Sequence, residues 1–306
     1  MIFRTARHGF LLSRASVHRH LGGVELTVAE IRRAVRAALA EDLGSGDVTT
    51  LATVPASAKS VAFMRAREPL VVAGIEFAEI AFREISAKIQ IKKLLCDGAR
   101  AKAGATLLKI SGSARALLSA ERVALNFVQR LSGVATATAQ FADAVRGTQA
   151  KILDTRKTTP GWRRFEKFAV ACGGGKNHRV GLFDMVLIKD NHLVALRNEK
   201  PNVIAAAVAR ARQQFPELKV EVEADTLEQV GQAAAAGADI ILLDNMTTTQ
   251  LRQAVKIVQG RAKTEASGGV NLKTVRVIAE TGVDFISVGA ITHSARAVDI
   301  GLDFEA

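Results

Sequence analysis

Apolar residues recur along the chain at two spacings, and the change from one to the other divides it. Thr27-Val-Ala-Glu30 reads as a capping box, in which the Thr hydroxyl and the Glu carboxylate satisfy free helix N–H groups. Ile31, Val35 and Leu39 continue one apolar face at four-residue intervals, predicting a helix that stops near Leu43-Gly44. Short strand-like runs follow at 60–66, 70–73, 88–95 and 106–110, with a helix over 75–84. A long helix from Ser113 to about Arg130 closes this α+β first part.

From Lys151 the pattern becomes a regular alternation. Apolar runs at Ile152-Leu153, 185–188, 220–222, 240–243, around Thr264-Glu265 and at 285–288 predict strands. Helical segments at 163–171, 203–214, 226–236, 248–259 and 272–280 lie between them. Such βα units close into a barrel or stay open as a doubly wound sheet. Polar or small residues end nearly every strand: Asp154, Arg156 and Lys157; Lys189 and Asp190; Glu223 and Asp225; Asp244 and Asn245; Glu265 and Ser267; Gly289. Barrel sites gather at the C-terminal ends of several strands, so this placement favours a barrel.

Composition narrows the possibilities. The 306 residues carry a formal charge of +12, and 48% hydrophobic with 24% charged residues is an ordinary globular balance. No apolar run reaches the roughly 18–20 residues of a bilayer-spanning helix, so no membrane partner is expected. Two cysteines, Cys96 and Cys172, exclude a disulfide scaffold and a multi-Cys zinc module, and no His/Cys metal cluster is visible. A chain without Tyr and with a single Trp lacks the stacking platform of a single-strand nucleic-acid binder. The charge is localised: residues 1–24 carry +4 without one acid, 151–192 carry +5, and 219–306 carry −4. The leader reads as a poorly ordered extension or, from its Arg, Ser and His content, an organellar transit segment.

A basic centre followed by an acidic end suggests an anion site facing carboxylates. Arg156 and Lys157, within Asp154-Thr-Arg-Lys-Thr-Thr-Pro-Gly161, place a forked donor and a point charge at a strand-to-helix junction beside Thr155. Gly173-Gly-Gly-Lys-Asn-His-Arg179 adds Lys176 and Arg179 on glycines expected to approach a ligand or act as a hinge. Lys189 ends an apolar strand, where it binds an anion or pairs with a carboxylate; His192 reads as a satisfied packing residue. Glu221, Glu223 and Asp225 alternate and so share the barrel's inner face, with Asp244 extending the row. For Glu223 and Asp244, ribose hydroxyls or Mg²⁺ are the expected partners, and a structural ion-pair set with Lys189 and Lys219 is the alternative. Ser267-Gly268-Gly269 and Val288-Gly289-Ala290 follow the last two strands, where barrels often hold a phosphate on backbone N–H groups. Two anions are implied: a polycarboxylate gripped by Arg and His, and a phosphorylated sugar.

These motifs, with Glu41-Asp-Leu-Gly-Ser-Gly-Asp-Val-Thr-Thr50, Glu121-Arg-Val-Ala-Leu-Asn126, Arg130-Leu-Ser-Gly-Val-Ala-Thr136 and Leu187-Ile-Lys-Asp-Asn-His192, resemble quinolinate phosphoribosyltransferase over roughly residues 26–305. Trp162 stands where the family usually has Leu, and Phe168 where it has Tyr; both read as packing residues. The resemblance implies an α/β chain with a sandwich-like α+β domain over 25–130, residues 293–306 packing back on it, and an incomplete TIM-like barrel over 131–292. It implies phosphoribosyl transfer to quinolinate with decarboxylation, Mg²⁺ as cofactor, and a homodimer, or a higher oligomer, in which Arg122 reaches the partner's site. Arg156, His178, Arg179 and Lys189 match its quinolinate positions; Lys157, Glu223, Asp244 and the two glycine loops match its sugar, metal and phosphate positions. Lys157, Lys189, Glu223 and Asp244 are the expected catalytic residues, in a cytoplasmic enzyme unless the leader directs import. The alternatives are a paralogue with another acceptor, such as the homologue among molybdenum-transport genes, and a non-catalytic basic binding protein, which leaves the acidic row unexplained.

Overall fold

The Thr27 hydroxyl accepts from Glu30 N at 3.2 Å while the Glu30 carboxylate accepts from Thr27 N at 2.9 Å, and the first helix, α1 (Val28–Leu43), starts there. The structure, a computed structural model, describes residues 23–197, 199–200 and 202–305, so the basic leader lies outside the described residues up to position 22. The leader's last residues are packed: Val24 N donates to Asn177 Oδ1 at 2.8 Å.

After α1 come α2 (Val48–Thr53), β1 (Lys59–Ala66), β2 (Leu70–Val71), α3 (Ile75–Ile85), β3 (Gln90–Lys93), β4 (Arg100–Ala101) and β5 (Thr106–Ser113). The single turn α2 has no expected counterpart, since a six-residue segment with three Thr has little intrinsic helicity; Asp47 holds it by accepting from Thr50 N at 3.0 Å. The long helix α4 (Ala114–Ala144) runs 31 residues, well past the expected end near Arg130. Gly133, within that extension, has a packing role. A Cβ there would lie 2.0 Å from Arg296 O, so the glycine admits the C-terminal backbone against the helix.

The second part contains β6 (Lys151–Leu153), α5 (Arg163–Cys172), β7 (Val186–Ile188), α6 (Asp190–Val194), α7 (Val203–Gln214), β8 (Val220–Ala224), α8 (Leu227–Ala235), β9 (Ile240–Asp244) and α9 (Thr248–Val258). It ends with β10 (Lys263–Ser267), α10 (Val275–Ala279), β11 (Phe285–Ser287), α11 (Ala290–His293) and β12 (Ile300–Phe304). Six parallel strands stand in the order β6-β11-β10-β9-β8-β7. Strands 7 to 11 follow chain order and β6 joins after β11, the cyclic order of a barrel; a doubly wound sheet would reverse at a switch point. A bridge between Leu153 and Lys176 flanks β6 on its other side, and no ladder joins β6 to β7 among the described residues, so the barrel is incomplete.

The chain then returns to the first part. β12 pairs antiparallel with β1, from Ala62 opposite Phe304 to Ala66 opposite Ile300, and completes the sheet β12-β1-β5-β3. Trp162 stacks on Phe127 of α4 at 5.0 Å between ring centroids and meets Phe165 edge-on, a packing role that joins helix and barrel.

Candidate active site

Parallel register stacks the barrel's inner side chains in rows. Glu223 lies opposite Leu242, which lies opposite Glu265; one level higher, Asp244 lies opposite Ser267. All five, with Ser287 of β11, line a cleft of about 480 Å³ at the C-terminal strand ends. Thr155, Arg156 and Lys157 after β6, His178 and Arg179 from the next loop, Leu187 of β7 and Lys189 just beyond it complete the wall. Residues separated by more than a hundred positions thus meet in one basic and acidic cavity. Asp225 does not join them: β8 ends at Ala224, and Asp225 is exposed beyond it.

The cationic loops are held from beneath. Asp154, at the end of β6, is fully buried, forms an ion pair with buried Lys167, and accepts from His178 N at 2.9 Å and Asn177 Nδ2 at 2.7 Å. Lys167 Nζ also donates to His178 O at 2.9 Å. Burial raises the Asp154 carboxyl and lowers the Lys167 ammonium, each opposed by the other's charge. Two glycines of this loop have a packing role. A Cβ on Gly173 would meet Ala135 O at 2.3 Å, and one on Gly175 would meet Thr138 Cγ2 at 2.7 Å, so both let the loop lie on α4. Lys176 is exposed and outside the cleft, whereas Arg179 lines it.

Two guanidinium atoms in the cleft stand out. Arg156 Nε and Arg179 Nε are buried without a hydrogen-bond partner among the described residues. Burial, then the neighbouring Arg156 charge, lowers the Arg179 pKa. Buried donors of this kind are costly unless an acceptor meets them, which marks the place for an anion.

Below them lies a cluster that the sequence did not reveal. His178 Nε2 is 3.0 Å from Glu221 Oε2 and 3.6 Å from Glu265 Oε1, with both carboxylates fully buried. These are charge contacts without hydrogen-bond alignment, and all four carboxylate oxygens lack hydrogen-bond partners among the described residues. Burial, then the Glu221 charge, pushes Glu265 up to about 8. Burial draws the His178 imidazole down, but its contact with Glu221 and the charge of Glu265 outweigh this and raise it. His178 Nδ1 accepts from Arg179 N at 2.7 Å, so both ring nitrogens face protein groups. Glu221 was legible as an inward residue, but nothing local pairs Glu265 with a histidine on a distant loop.

Of the two expected partners of Lys189, the carboxylate is present: it forms an ion pair with Glu223. His192 Nδ1 accepts from Lys189 N at 2.9 Å, so the ring is satisfied at the start of α6, but it is exposed and does not pack as expected. The Asp244 carboxylate accepts from Asn245 Nδ2 at 2.6 Å. Gly268 has φ +96 and closes against Asn245; Gly289 lies beside Lys157. Gly268, Gly269, Val288, Gly289 and Ala290 follow the cleft-lining Ser267 and Ser287 without lining the cleft themselves. Arg122 is exposed on α4 and does not line this cleft.

Fold and cleft together define an α/β-barrel protein with a cleft of mixed basic and acidic lining at its strand ends, joined to an α+β domain. Residues 47–132 match the family model of the quinolinate phosphoribosyl transferase N-terminal domain, and 134–303 that of its C-terminal domain. A Mycobacterium leprae nicotinate-nucleotide pyrophosphorylase (carboxylating) is 47% identical over 89% of this chain and 96% of its own length. The chloroplastic protein of that name from Arabidopsis thaliana is 42% identical over 90% of this chain and 83% of its own. The solved Francisella tularensis nicotinate-nucleotide pyrophosphorylase superposes with a TM-score of 0.87 at 40% identity, over 92% of this chain and 98% of that one. The chain belongs to the quinolinate phosphoribosyltransferase family.

Proposed function

We propose that this chain transfers phosphoribose from phosphoribosyl pyrophosphate to quinolinate with loss of CO₂, giving nicotinate mononucleotide and pyrophosphate for NAD synthesis. The observation that carries this is the pair of buried, unpartnered guanidinium atoms of Arg156 and Arg179 facing one cleft. A pyridine with two adjacent carboxylates supplies the acceptors those forked donors need. Kinship with the Mycobacterium leprae enzyme, matched over nearly its whole length, supports the same reaction.

Arg156 and Arg179 hold the two carboxylates and direct the ring nitrogen at the anomeric carbon, while Thr155 borders them. Lys157 and the loops at 267–269 and 288–290 face the phosphate groups. As pyrophosphate departs, the sugar gains oxocarbenium character that the negative field of Glu223 and Asp244 stabilises. Bond formation makes the ring nitrogen cationic; loss of CO₂ leaves its electron pair on the adjacent ring carbon, stabilised by that positive nitrogen, and a proton from water completes nicotinate mononucleotide, so no dedicated base is required. Two hard carboxylates on neighbouring strand ends, in a cleft open to a polyphosphate, fit Mg²⁺, which commonly binds through one or two carboxylates plus substrate phosphates. Glu223 and Asp244 would hold the ion, which would share the charge of the leaving pyrophosphate.

The acceptor site draws its third arginine, Arg122, from a second copy of the chain. Arg115, Ser119 and Arg122 share one face of α4, and α2 is fixed there through Ser119 Oγ to Asp47 at 2.9 Å and Arg115 Nε to Val54 O at 2.7 Å. Val48 and Leu51 of α2 are exposed beside that face, an apolar border suited to burial against a copy.

The direct test is an assay for nicotinate mononucleotide from quinolinate, with nicotinate as control acceptor. Product from quinolinate alone is expected; equal turnover of nicotinate would overturn the carboxylate assignment.

A further inference from the structure

We propose that Arg130 is a positioning residue that fixes the acceptor-binding loop against the phosphate-binding loop. This rests on the assignment of Arg156 to the acceptor and of 288–290 to the phosphate groups. Arg130, on α4, does not line the cleft, yet its guanidinium reaches both segments that frame it. Nη2 donates to Glu166 Oε1 at 2.7 Å and to Thr292 O at 2.8 Å, and Nη1 donates to Ala295 O.

Glu166 of α5 is fully buried, and it passes the connection on. Oε1 accepts from Thr159 Oγ1 at 2.8 Å, and Oε2 accepts from Thr159 N at 3.1 Å. Thr159 lies two residues beyond Lys157 on the acceptor loop. On the other side, Thr292 and Ala295 follow Gly289–Ala290, at the end of the four-residue α11, whose last carbonyls have no helical partner. The two loops also meet directly, Thr292 Oγ1 donating to Lys157 O at 2.7 Å. A single guanidinium therefore spans the supports of both loops, from a helix that belongs to neither.

The chemistry makes this arrangement consequential. A buried carboxylate is tolerated only with its partners in place, and Glu166 has an arginine, a hydroxyl and an amide. An ammonium in place of Arg130 could keep Glu166 but could not fork to two carbonyls as well. Relaxing one loop against the other moves the ring nitrogen relative to the anomeric carbon, and about 1 Å of misplacement costs on the order of 10²-fold in rate. Each loop would still bind its own substrate.

Arg130→Ala should lower kcat about 10²-fold while each substrate's dissociation constant, measured calorimetrically on the separate substrates, stays within about threefold. Guanidinium ion should restore part of that kcat, and Arg130→Lys should fall between Arg130→Ala and the parent. A folded Arg130→Ala chain with parental kcat, or a loss seen wholly as weaker binding of one substrate, would overturn the proposal. If Arg130→Ala does not fold, Glu166→Gln, which keeps the shape, should show the same split at about tenfold, and parental kcat there is equally decisive against it. Parental kinetics in Arg156→Ala would instead remove the acceptor assignment, a failure read separately from any result at Arg130.

Discussion

Lys189 and Glu223 form an ion pair between the ends of β7 and β8, so the expected acceptor cation and the expected metal carboxylate hold each other. If the proposed roles hold, each changes partner when quinolinate and Mg²⁺ bind. Lys189→Met should therefore lower kcat/KM for quinolinate by about 10–100-fold, the value of a charge-assisted hydrogen bond. It should also reduce the Mg²⁺ concentration needed for half-maximal rate, because Glu223 no longer has a competing cation. Glu223→Gln should raise that Mg²⁺ requirement. Steady-state kinetics with Mg²⁺ titration check both, and an unchanged Mg²⁺ dependence in both variants would remove Glu223 from the metal set.

Arg156→Ala tests the carboxylate clamp. Loss of the buried fork should raise the quinolinate KM and lower kcat, with the KM for phosphoribosyl pyrophosphate much less affected. Arg179→Ala should behave alike, and equal losses for both substrates would point to a general collapse of the cleft.

The buried cluster beneath these arginines sets a pH dependence of stability. Glu265 titrates near 8 in the folded chain against an ordinary 4.5, so folding retains a proton across that interval and stability falls as pH rises through it. The raised His178 acts with the same sign: its contribution is complete below the ordinary 6.5 and is lost as pH passes its folded value. Melting temperature should therefore decline from about pH 5 to about pH 9, and Glu265→Gln should flatten the decline by stabilising the alkaline side. A parental melting curve independent of pH across that range would contradict the assignment.

What could be read in advance follows the range of the interactions. The capping pair Thr27 and Glu30 and the polar strand ends at Lys189, Glu223 and Asp244 are local patterns, and their elements emerged with small shifts in boundary. The extension of α4 beyond Arg130 was hidden because the reason for Gly133 is the backbone of Arg296, distant in sequence. The contact of Gly173 and Gly175 with α4 was hidden for the same cause, since the helix they lie against is distant in sequence. Glu265 sits among Lys, Thr, Ala and Ser, where nothing marks a buried acid; only barrel closure brings it to His178 and Glu221.

Gly133→Ala is a test of that hidden packing. The added methyl meets backbone on both Arg296 and Ala297, which cannot swing aside as a side-chain tip could. A loss of about 1–3 kcal/mol is expected in urea denaturation. The same substitution at Gly147, where a Cβ meets nothing within 4 Å but φ is +84, should cost only its left-handed backbone strain, about 1–2 kcal/mol.

Arg122 gives the most discriminating experiment on assembly. Arg122→Ala and Lys189→Met should each be nearly inactive alone, for different reasons: one lacks the arginine given to a partner, the other lacks a residue of its own cleft. In a heterodimer the cleft with intact Lys189 receives Arg122 from the Lys189→Met chain and is complete, while the other cleft lacks both. Random reassortment of equal amounts should then yield about one quarter of parental activity, since half the dimers are mixed and each has one working site. Verified heterodimers without recovered activity would place Arg122 outside the shared site. Recovery would show that the face of α4 bearing Arg115, Ser119 and Arg122 is where a second chain completes the acceptor clamp, and would leave exposed Val48 and Leu51 as the apolar edge of that contact.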